Sequence, residues 1–160
     1  MRGLFSLKSS SDLLDKLEYD YSALEKDKNN PYLAFNFFVT AEHMLDWVYP
    51  GYSNKSKRTS ERDSEVLLQV CSHLATGAKH FVAEAKHHGS VSGSVQKRPN
   101  NPFYGPFGGP FVVKRNISGL YVNLEDKAAM VLGPTITAID LAKHVFEYWQ
   151  SHEKFSKSPT

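Results

Sequence analysis

The sequence has few of the features that would covalently stabilise a protein or anchor it in a membrane. One of its 160 residues is cysteine, Cys71, which excludes an intramolecular disulfide framework and a zinc site built from several thiolates. No stretch approaches the roughly 18 apolar residues of a membrane-spanning helix. The apolar stretch near the N-terminus is also too short for the core of a signal peptide. We therefore expect a cytoplasmic protein with no membrane contact.

Several catalytic signatures are missing as well. There is no Gly-x-Ser-x-Gly nucleophile elbow and no glycine-rich phosphate loop with its lysine. Cys71 falls on the apolar face of a predicted helix, where a thiol stays protonated and unreactive. Metal-ligand spacing occurs where Glu84 is paired with His80, His87 or His88, and in the pair Asp140 and His144. Of these, Glu84-x-x-His87 is one half of the motif used in di-metal helical bundles, and no second copy of it occurs. We predict neither a bound metal nor any other cofactor.

Basic and acidic residues nearly balance over the whole chain, because 19 basic and 17 acidic residues leave a net charge of +2. The distribution is uneven, with −3 in residues 1–50, +6 in residues 51–115 and −1 in residues 116–160. Much of the surplus comes from residues 54–58 and from the pair Lys97 and Arg98. We predict both segments to be loops. An anionic partner is therefore expected at the middle of the chain.

Apolar residues at intervals of three and four predict four helices. The predicted helices span residues 11–28, 31–49, 61–88 and 137–154. Their predicted N-terminal caps are Ser9, Asn30, Ser60 and Thr137. Two apolar stripes run along the second helix, which makes it the predicted centre of the fold.

Glycine and proline are concentrated between the third and fourth predicted helices. They make up ten of the residues 89–119, so we expect no helix there. Three short extended segments are predicted at 111–115, 120–124 and 128–132. The expected fold is a single, mainly α domain spanning 1–160. It is an antiparallel four-helix bundle with a small antiparallel β-hairpin or meander inserted at about 89–133.

Polar side chains form a stripe on each of two predicted helices. On the second helix the stripe contains Asn36, Thr40, His43 and Trp47, with Asp46 beside it. Either this stripe faces solvent, or His43 and Asp46 line an inner cleft with Trp47 as its wall.

On the third predicted helix, His73, Gly77 and His80 share a stripe. A glycine inside a helix costs about 1 kcal/mol relative to alanine, so it usually marks the close approach of another backbone or of a ligand. We predict that Gly77 lets the second and third helices pack closely. His43 and Asp46 would then face His73 and His80.

Histidine acid–base chemistry is the reaction type that these residues fit best. His80 beside Lys79, with a second histidine nearby, provides the base and the cation that RNA cleavage requires. The predicted catalytic residues are His80, Lys79, His73, His43 and Asp46. The predicted binding residues are Asn36, Trp47, Gly77, Lys97 and Arg98. Basic loops also occur on proteins without a nucleic-acid role, so a binding protein stays an alternative.

Two stretches of the sequence resemble a group of small bacterial and phage proteins. The stretches are A-F-N-F-F-V-T-A-E-H-M-L-D-W-V at 34–48 and C-S-H-L-A-T-G-A-K-H-F at 71–81. Proteins of that group pair a helix ending His-x-x-Asp-Trp with a helix ending Ala-x-Gly-x-Lys-His-Phe. More remotely, the chain is similar to the HEPN superfamily. Its members are helical bundles that dimerise and often act as RNases in toxin and phage-defence systems.

The HEPN catalytic signature, an arginine followed four to six residues later by histidine, is absent from this sequence. None of the five arginines has a histidine at that distance; they are Arg2, Arg58, Arg62, Arg98 and Arg115. The resemblance therefore implies an HEPN-like homodimer that acts as an interaction module in phage defence or in a mobile element, with RNA or a protein as partner. The alternatives are a metal-independent ribonuclease and a metal-dependent bundle enzyme.

Overall fold

The computed structural model describes residues 4–80, 90–97 and 118–155, apart from the side chain of His80. Within these ranges the chain is mainly helical, with six α-helices and a small antiparallel sheet of three strands. The helices are α1 (Ser10–Lys26), α2 (Pro31–Val48), α3 (Lys55–Ser64), α4 (Val66–His80), α5 (Asp126–Leu132) and α6 (Ala138–Ser151). The strands are β1 (Val91–Lys97), β2 (Gly119–Leu124) and β3 (Thr135–Thr137). None of the helices in these ranges combines the length and the hydrophobicity needed to cross a membrane.

Local caps explain where three of the predicted helices begin. Ser9 and Asp12 form a reciprocal capping box at the start of α1. The Asn30 side chain accepts a backbone N–H two residues further on, ahead of the proline that opens α2. Thr137 accepts the backbone N–H of Asp140 at the start of α6. The first, second and last predicted helices are confirmed, with ends that differ by up to three residues.

The third predicted helix, 61–88, is confirmed as helical over 61–64 and 66–80, but the prediction of one continuous helix is wrong. Its described part is divided between α3 and α4, which are separated at Glu65, where the backbone is extended (φ −114°, ψ 114°). The Glu65 carboxylate accepts a backbone N–H in the first turn of α4. Ser60, a predicted cap, lies inside α3, and 55–58, predicted as part of a loop, form its first turn. Because α3 buries no residue, apolar periodicity could not reveal it. Residues 81–88 lie outside the described residues.

The sheet has the strand order β1-β2-β3, and both pairs are antiparallel. β2 confirms the strand predicted at 120–124, whereas β1 and β3 occupy positions where no strand is predicted. The strand predicted at 128–132 is wrong, since these residues belong to α5, which ends at Gly133 with φ 87°. Alanine, methionine and leucine favour helix, and a short apolar run alone does not distinguish a strand from a buried helical turn. The strand predicted at 111–115 lies outside the described residues.

α2 lies at the centre of the core and packs against α1, α4 and α6. Phe37 and Met44 on α2 are completely buried, as are Leu17 on α1 and Trp149 on α6. Burying a side chain of this size contributes roughly 1.5–3 kcal/mol relative to leaving it in water. β2 adds buried residues at the side of the sheet that faces the helices. The high apolar content of α2 is thus explained by its contacts with three other helices.

Candidate functional site

A cleft of about 750 Å³ opens between α2, α4 and the sheet. Its described walls are formed by side chains of α2, α4, β1 and β2, together with Ala138 at the start of α6. A volume of this size falls within the roughly 300–1,000 Å³ of typical ligand-binding cavities. The cleft is therefore the candidate binding site.

The cleft exists because small residues line two of its walls. On α4 these are Ala75, Gly77 and Ala78, and on β1 they include Ser92 and Gly93. A Cβ atom placed on Gly77 would have no heavy atom of the described residues within 4 Å, its own helix backbone aside. The prediction of a close helix crossing at Gly77 is therefore wrong. This glycine instead leaves space in the wall of the cleft.

The described lining of the cleft carries no Lys, Arg, Asp or Glu. Phe35 and Phe38 from α2 and Tyr121 from β2 give it an aromatic character. Its polar side chains are neutral hydroxyl and amide groups and the imidazole of His73. Proteins neutralise nucleic-acid phosphates mainly with Lys and Arg, so this lining does not fit a phosphate backbone. It suits an uncharged, largely apolar ligand.

The residues predicted on the second helix lie outside the described lining of the cleft. Asn36 is exposed, and the side chain of His43 is 59% exposed. The Asp46 carboxylate is 3.0 Å from Nε of Arg58 and 4.0 Å from Nδ1 of His43. Trp47 is half-buried and packs against the core. His43 and Asp46 thus belong to a solvent-facing stripe outside the described cleft that His73 lines, whereas the prediction that they face His80 involves a side chain outside the described residues.

The other predicted residues are divided among different locations. His73 and Gly77 line the cleft, whereas Lys79 is exposed outside its described lining. Lys97 ends β1, and its Nζ lies 4.6 Å from the centre of the Tyr121 ring. The side chain of His80 and the whole of Arg98 lie outside the described residues. Of the predicted site residues, His73 and Gly77 are the ones in the described lining of the cleft, whereas His43 and Asp46 lie 4.0 Å apart on the exposed stripe of α2.

His73 connects α4 to the sheet. Its Nδ1 accepts the backbone N–H of Val91 at 3.2 Å, so the neutral ring carries its proton on Nε2. Burial lowers the pKa of His73 from its ordinary value of 6.5, and the carboxylate of Glu125 opposes part of this shift. The Nδ1 lone pair that a general base would use is therefore engaged in a structural hydrogen bond.

We expect the stability of the protein to decrease as the pH falls below about 6.5, the ordinary pKa of histidine. Because the pKa of His73 is lower in the folded chain, the stability that its neutral form provides is present above the unfolded pKa. It is lost as the pH falls through the folded pKa, when protonation places an N–H against that of Val91. Urea unfolding of the unmodified chain and of His73→Gln at pH 7.5 and 5.0 measures this effect.

His73→Gln keeps a side-chain oxygen that can accept the N–H of Val91 but does not titrate, so its pH dependence should be smaller. His144→Gln, on an exposed position of α6, is the matched control and should keep the pH dependence of the unmodified chain. Equal pH dependence in all three proteins would contradict the role assigned to His73.

A second polar cluster lies away from the cleft and joins α3 to α6. The Glu61 carboxylate accepts the hydroxyl of Tyr148 at 2.9 Å and lies 3.0 Å from Nε2 of His152. Burial raises the pKa of Tyr148, and the Glu61 carboxylate raises it further. The same two causes, burial first, raise the pKa of Tyr49 to about 12. None of these four residues is among the predicted site residues, because they are far apart in the sequence and share no local spacing.

A third cluster lies beside Cys71. Arg62 donates from a terminal guanidinium nitrogen to Glu42 at 2.7 Å. Burial nevertheless raises the pKa of Glu42, and the guanidinium only partly offsets it. Cys71 is completely buried, and burial raises the pKa of its thiol. The prediction of an unreactive, protonated thiol agrees with this position.

In the parts of the chain that the structure describes, no three His, Cys, Asp or Glu side chains lie close enough together to hold a metal ion. Glu84 and His87 lie outside those parts, so the alternative of a metal site at these residues stays open. Comparisons of the chain with protein-family models, with curated proteins and with solved structures found no match. The resemblance of 34–48 and 71–81 to small phage and bacterial proteins likewise stays a prediction.

Proposed function

We propose that the chain is an interaction module whose cleft binds an uncharged, apolar segment of a protein. The observation that supports this most strongly is the described lining, which surrounds a few neutral polar groups with aromatic and aliphatic side chains. Apolar surface that enters such a cleft contributes roughly 25 cal/mol per Å² removed from water. The engagement of His73 with Val91 favours binding over acid–base catalysis at this site.

The architecture and the setting are part of the same proposal. The packing of α1, α4 and α6 around α2 supports a four-helix core, to which we assign the HEPN-like arrangement implied by the resemblance. HEPN-like proteins without catalytic activity act as binding partners of other proteins. We propose such a role, in the cytoplasm and within a phage-defence or mobile-element system.

The alternative function, a ribonuclease, can be tested directly by an RNA-cleavage assay. Its predicted residues do not converge in the described structure, since His43 is exposed on α2 whereas His73 lines the cleft. After incubation with total RNA, we expect the unmodified chain and His80→Ala to leave the same fragment pattern as buffer. Cleavage that His80→Ala abolishes would establish the ribonuclease and overturn the proposal.

Filling the cleft should abolish apolar binding without unfolding the protein. In Gly77→Leu the new side chain enters open space, and replacing glycine inside a helix raises helix stability by up to about 1 kcal/mol. We expect the uncharged dye Nile red to bind the unmodified chain, with a blue-shifted emission. Its dissociation constant should be at least tenfold higher for Gly77→Leu. Fluorescence titration measures both.

Lys79→Leu is the matched control, because it introduces the same side chain on α4 outside the described lining of the cleft. It should bind Nile red as the unmodified chain does. Failure of the unmodified chain to bind the dye would contradict the proposed function. So would equal binding by Gly77→Leu, because the dye would then occupy another surface.

A further inference from the structure

The sheet has an open backbone edge beside the cleft. Among the described strands the order is β1-β2-β3, so β1 has β2 on one side and no strand on the other. Every residue from Val91 to Gln96 lines the cleft. A strand at the edge of a sheet presents unpaired backbone N–H and C=O groups on its outer side. The cleft is therefore bordered by backbone groups as well as by side chains.

Two residues of β1 direct these backbone groups away from β2. Leu124 of β2 donates its backbone N–H to the carbonyl of the residue that precedes β3. Backbone groups alternate in direction along a strand, so those of Val122 and Leu120 also face β3. These two residues pair with Ser94 and Gln96 of β1. The N–H and C=O groups of Ser94 and Gln96 therefore point outward, away from β2.

The outer edge of β1 faces the cleft. At one end of the strand, the N–H of Val91 is bonded to His73, so this edge is turned toward α4. At the other end, the side-chain amide of Gln96 donates to the backbone carbonyl of Asn29 at 3.1 Å, just ahead of α2. Residues 92–95 lie between these two contacts and line the cleft. The edge is thus held in place at both ends and open in the middle.

We infer that the partner segment binds as an extended strand, which pairs with the outer edge of β1 and places its apolar side chains in the cleft. This inference rests on the proposed function of the cleft and names the conformation of its occupant. A strand supplies the alternating N–H and C=O groups that Ser94 and Gln96 can bond. A helix does not, because its backbone groups are bonded internally. At about 3.3 Å per residue, the edge from Val91 to Gln96 accommodates about five or six residues.

The outer edge lacks the features by which proteins usually prevent strand addition. These features are charged side chains, proline and bulges along the edge. Residues 92–96 contain no charge and no proline, and the bulge of β1 lies ahead of Ser94. The charged residue of the strand is Lys97, whose Nζ lies 4.6 Å from the ring centre of Tyr121 on β2. Its side chain thus extends over β2 and leaves the outer edge open to an uncharged strand.

Fluorescence polarisation with a synthetic strand tests this inference. The probe is a heptapeptide in which threonine and valine alternate, with fluorescein at its N-terminus and an amide at its C-terminus. We expect the unmodified chain to bind it saturably. Ser94→Pro removes an outward N–H and no donor of the β1–β2 ladder, a position at which an edge strand tolerates proline. It should raise the dissociation constant of the peptide at least about tenfold.

Thr135→Pro is the matched control, because Thr135 lies on β3 at the opposite edge of the same sheet. Thr135 pairs with Asn123, whose backbone groups face β1, so the N–H of Thr135 also points away from β2. Thr135→Pro should therefore bind the peptide as the unmodified chain does. Circular dichroism at 222 nm checks that both proline variants keep the fold.

Methylated peptides test the same hydrogen bonds without altering the protein. Two forms of the heptapeptide carry N-methyl groups, one form on its valines and the other on its threonines. Successive N–H groups of a strand point to opposite edges, so one form alone blocks the edge that meets β1. We expect that form to bind at least about 30-fold more weakly than the other. Equal affinities would overturn strand pairing, even if a proline variant did not fold.

Nile red distinguishes this inference from the function on which it rests. The dye requires the apolar cleft, whereas the heptapeptide also requires the backbone of β1. If the unmodified chain binds the dye but not the peptide, strand addition alone is overturned. Equal peptide binding by Ser94→Pro and the unmodified chain has the same meaning. Failure of the unmodified chain to bind the dye contradicts the proposed function itself.

Discussion

Replacing Trp149 by alanine is expected to lower the free energy of unfolding by about 3–5 kcal/mol. Trp149 is completely buried on α6, with its ring centre 5.1 Å from that of Tyr148 and 5.3 Å from that of His152. Removing so large a side chain leaves a cavity that its neighbours can only partly close. Because domains are stable by only about 5–15 kcal/mol, this is a large fraction of the total. Urea unfolding followed by circular dichroism at 222 nm measures the loss.

Trp149→Phe separates the effect of volume from that of the indole N–H. That N–H is buried, and it has no hydrogen-bond acceptor among the described residues. Phenylalanine removes this unsatisfied donor, so it should recover much of the stability lost in the alanine variant, despite its smaller ring. A loss below about 1 kcal/mol for Trp149→Ala would contradict the position of this side chain at the centre of the core.

Glu61→Ala is expected to lower the free energy of unfolding by about 2–4 kcal/mol, because partly buried polar groups lose their shared acceptor. The carboxylate accepts from Tyr148 and contacts His152, and it also contributes to the raised pKa of Tyr49. These residues come from three separate parts of the chain. Without the carboxylate, the hydroxyl of Tyr148 and the imidazole of His152 are left without a charged partner. Urea unfolding at pH 7 measures the change.

Asp63→Ala is the matched control for Glu61→Ala, because Asp63 lies on the same helix and is exposed. It should change the free energy of unfolding by less than about 0.5 kcal/mol. Glu61→Gln keeps an oxygen acceptor and should fall between the two. If Glu61→Ala were no more harmful than Asp63→Ala, the cluster would not contribute to folding.

The caps show which parts of the fold are predictable from sequence. Ser9 with Asp12, and Thr137 with Asp140, interact within one helical turn, so their spacing along the chain contains the whole interaction. Helices that begin at such caps and bury an apolar stripe were predicted within three residues. In contrast, α3 has neither a capping side chain nor a buried residue, and no periodic signal marks it.

Glu61 illustrates what sequence patterns do not contain. Its partners Tyr148 and His152 are 87 and 91 residues away, and their convergence depends on how α3 and α6 pack. Thr40 is a similar case: it shares a stripe with His43, but is buried against Asp20 whereas His43 is exposed. Residues of the same stripe therefore lie in two environments, because one edge of α2 packs against α1 whereas the other edge faces solvent.

Gly77 lines the cleft, whereas its position inside a helix predicts a close helix crossing. A glycine in a helix indicates that some neighbour or ligand requires space, and the pattern does not say which. The described structure places no backbone against it and leaves an opening in the cleft wall. The volume of the cleft depends on residues from α2, α4 and two strands, so no single segment of sequence could predict it.

The attachment of α3 differs in kind from that of the other long helices. α3 buries no residue, and side-chain pairs connect it to the rest of the chain, among them Arg58 with Asp46 and Arg62 with Glu42. Dissolved ions screen such pairs, most effectively where the charges are exposed to water, whereas apolar contacts are not weakened in this way. We therefore expect ionic strength to affect the attachment of α3 more than the core around α2, and the backbone amides of α3 to exchange with solvent through a local opening of their own.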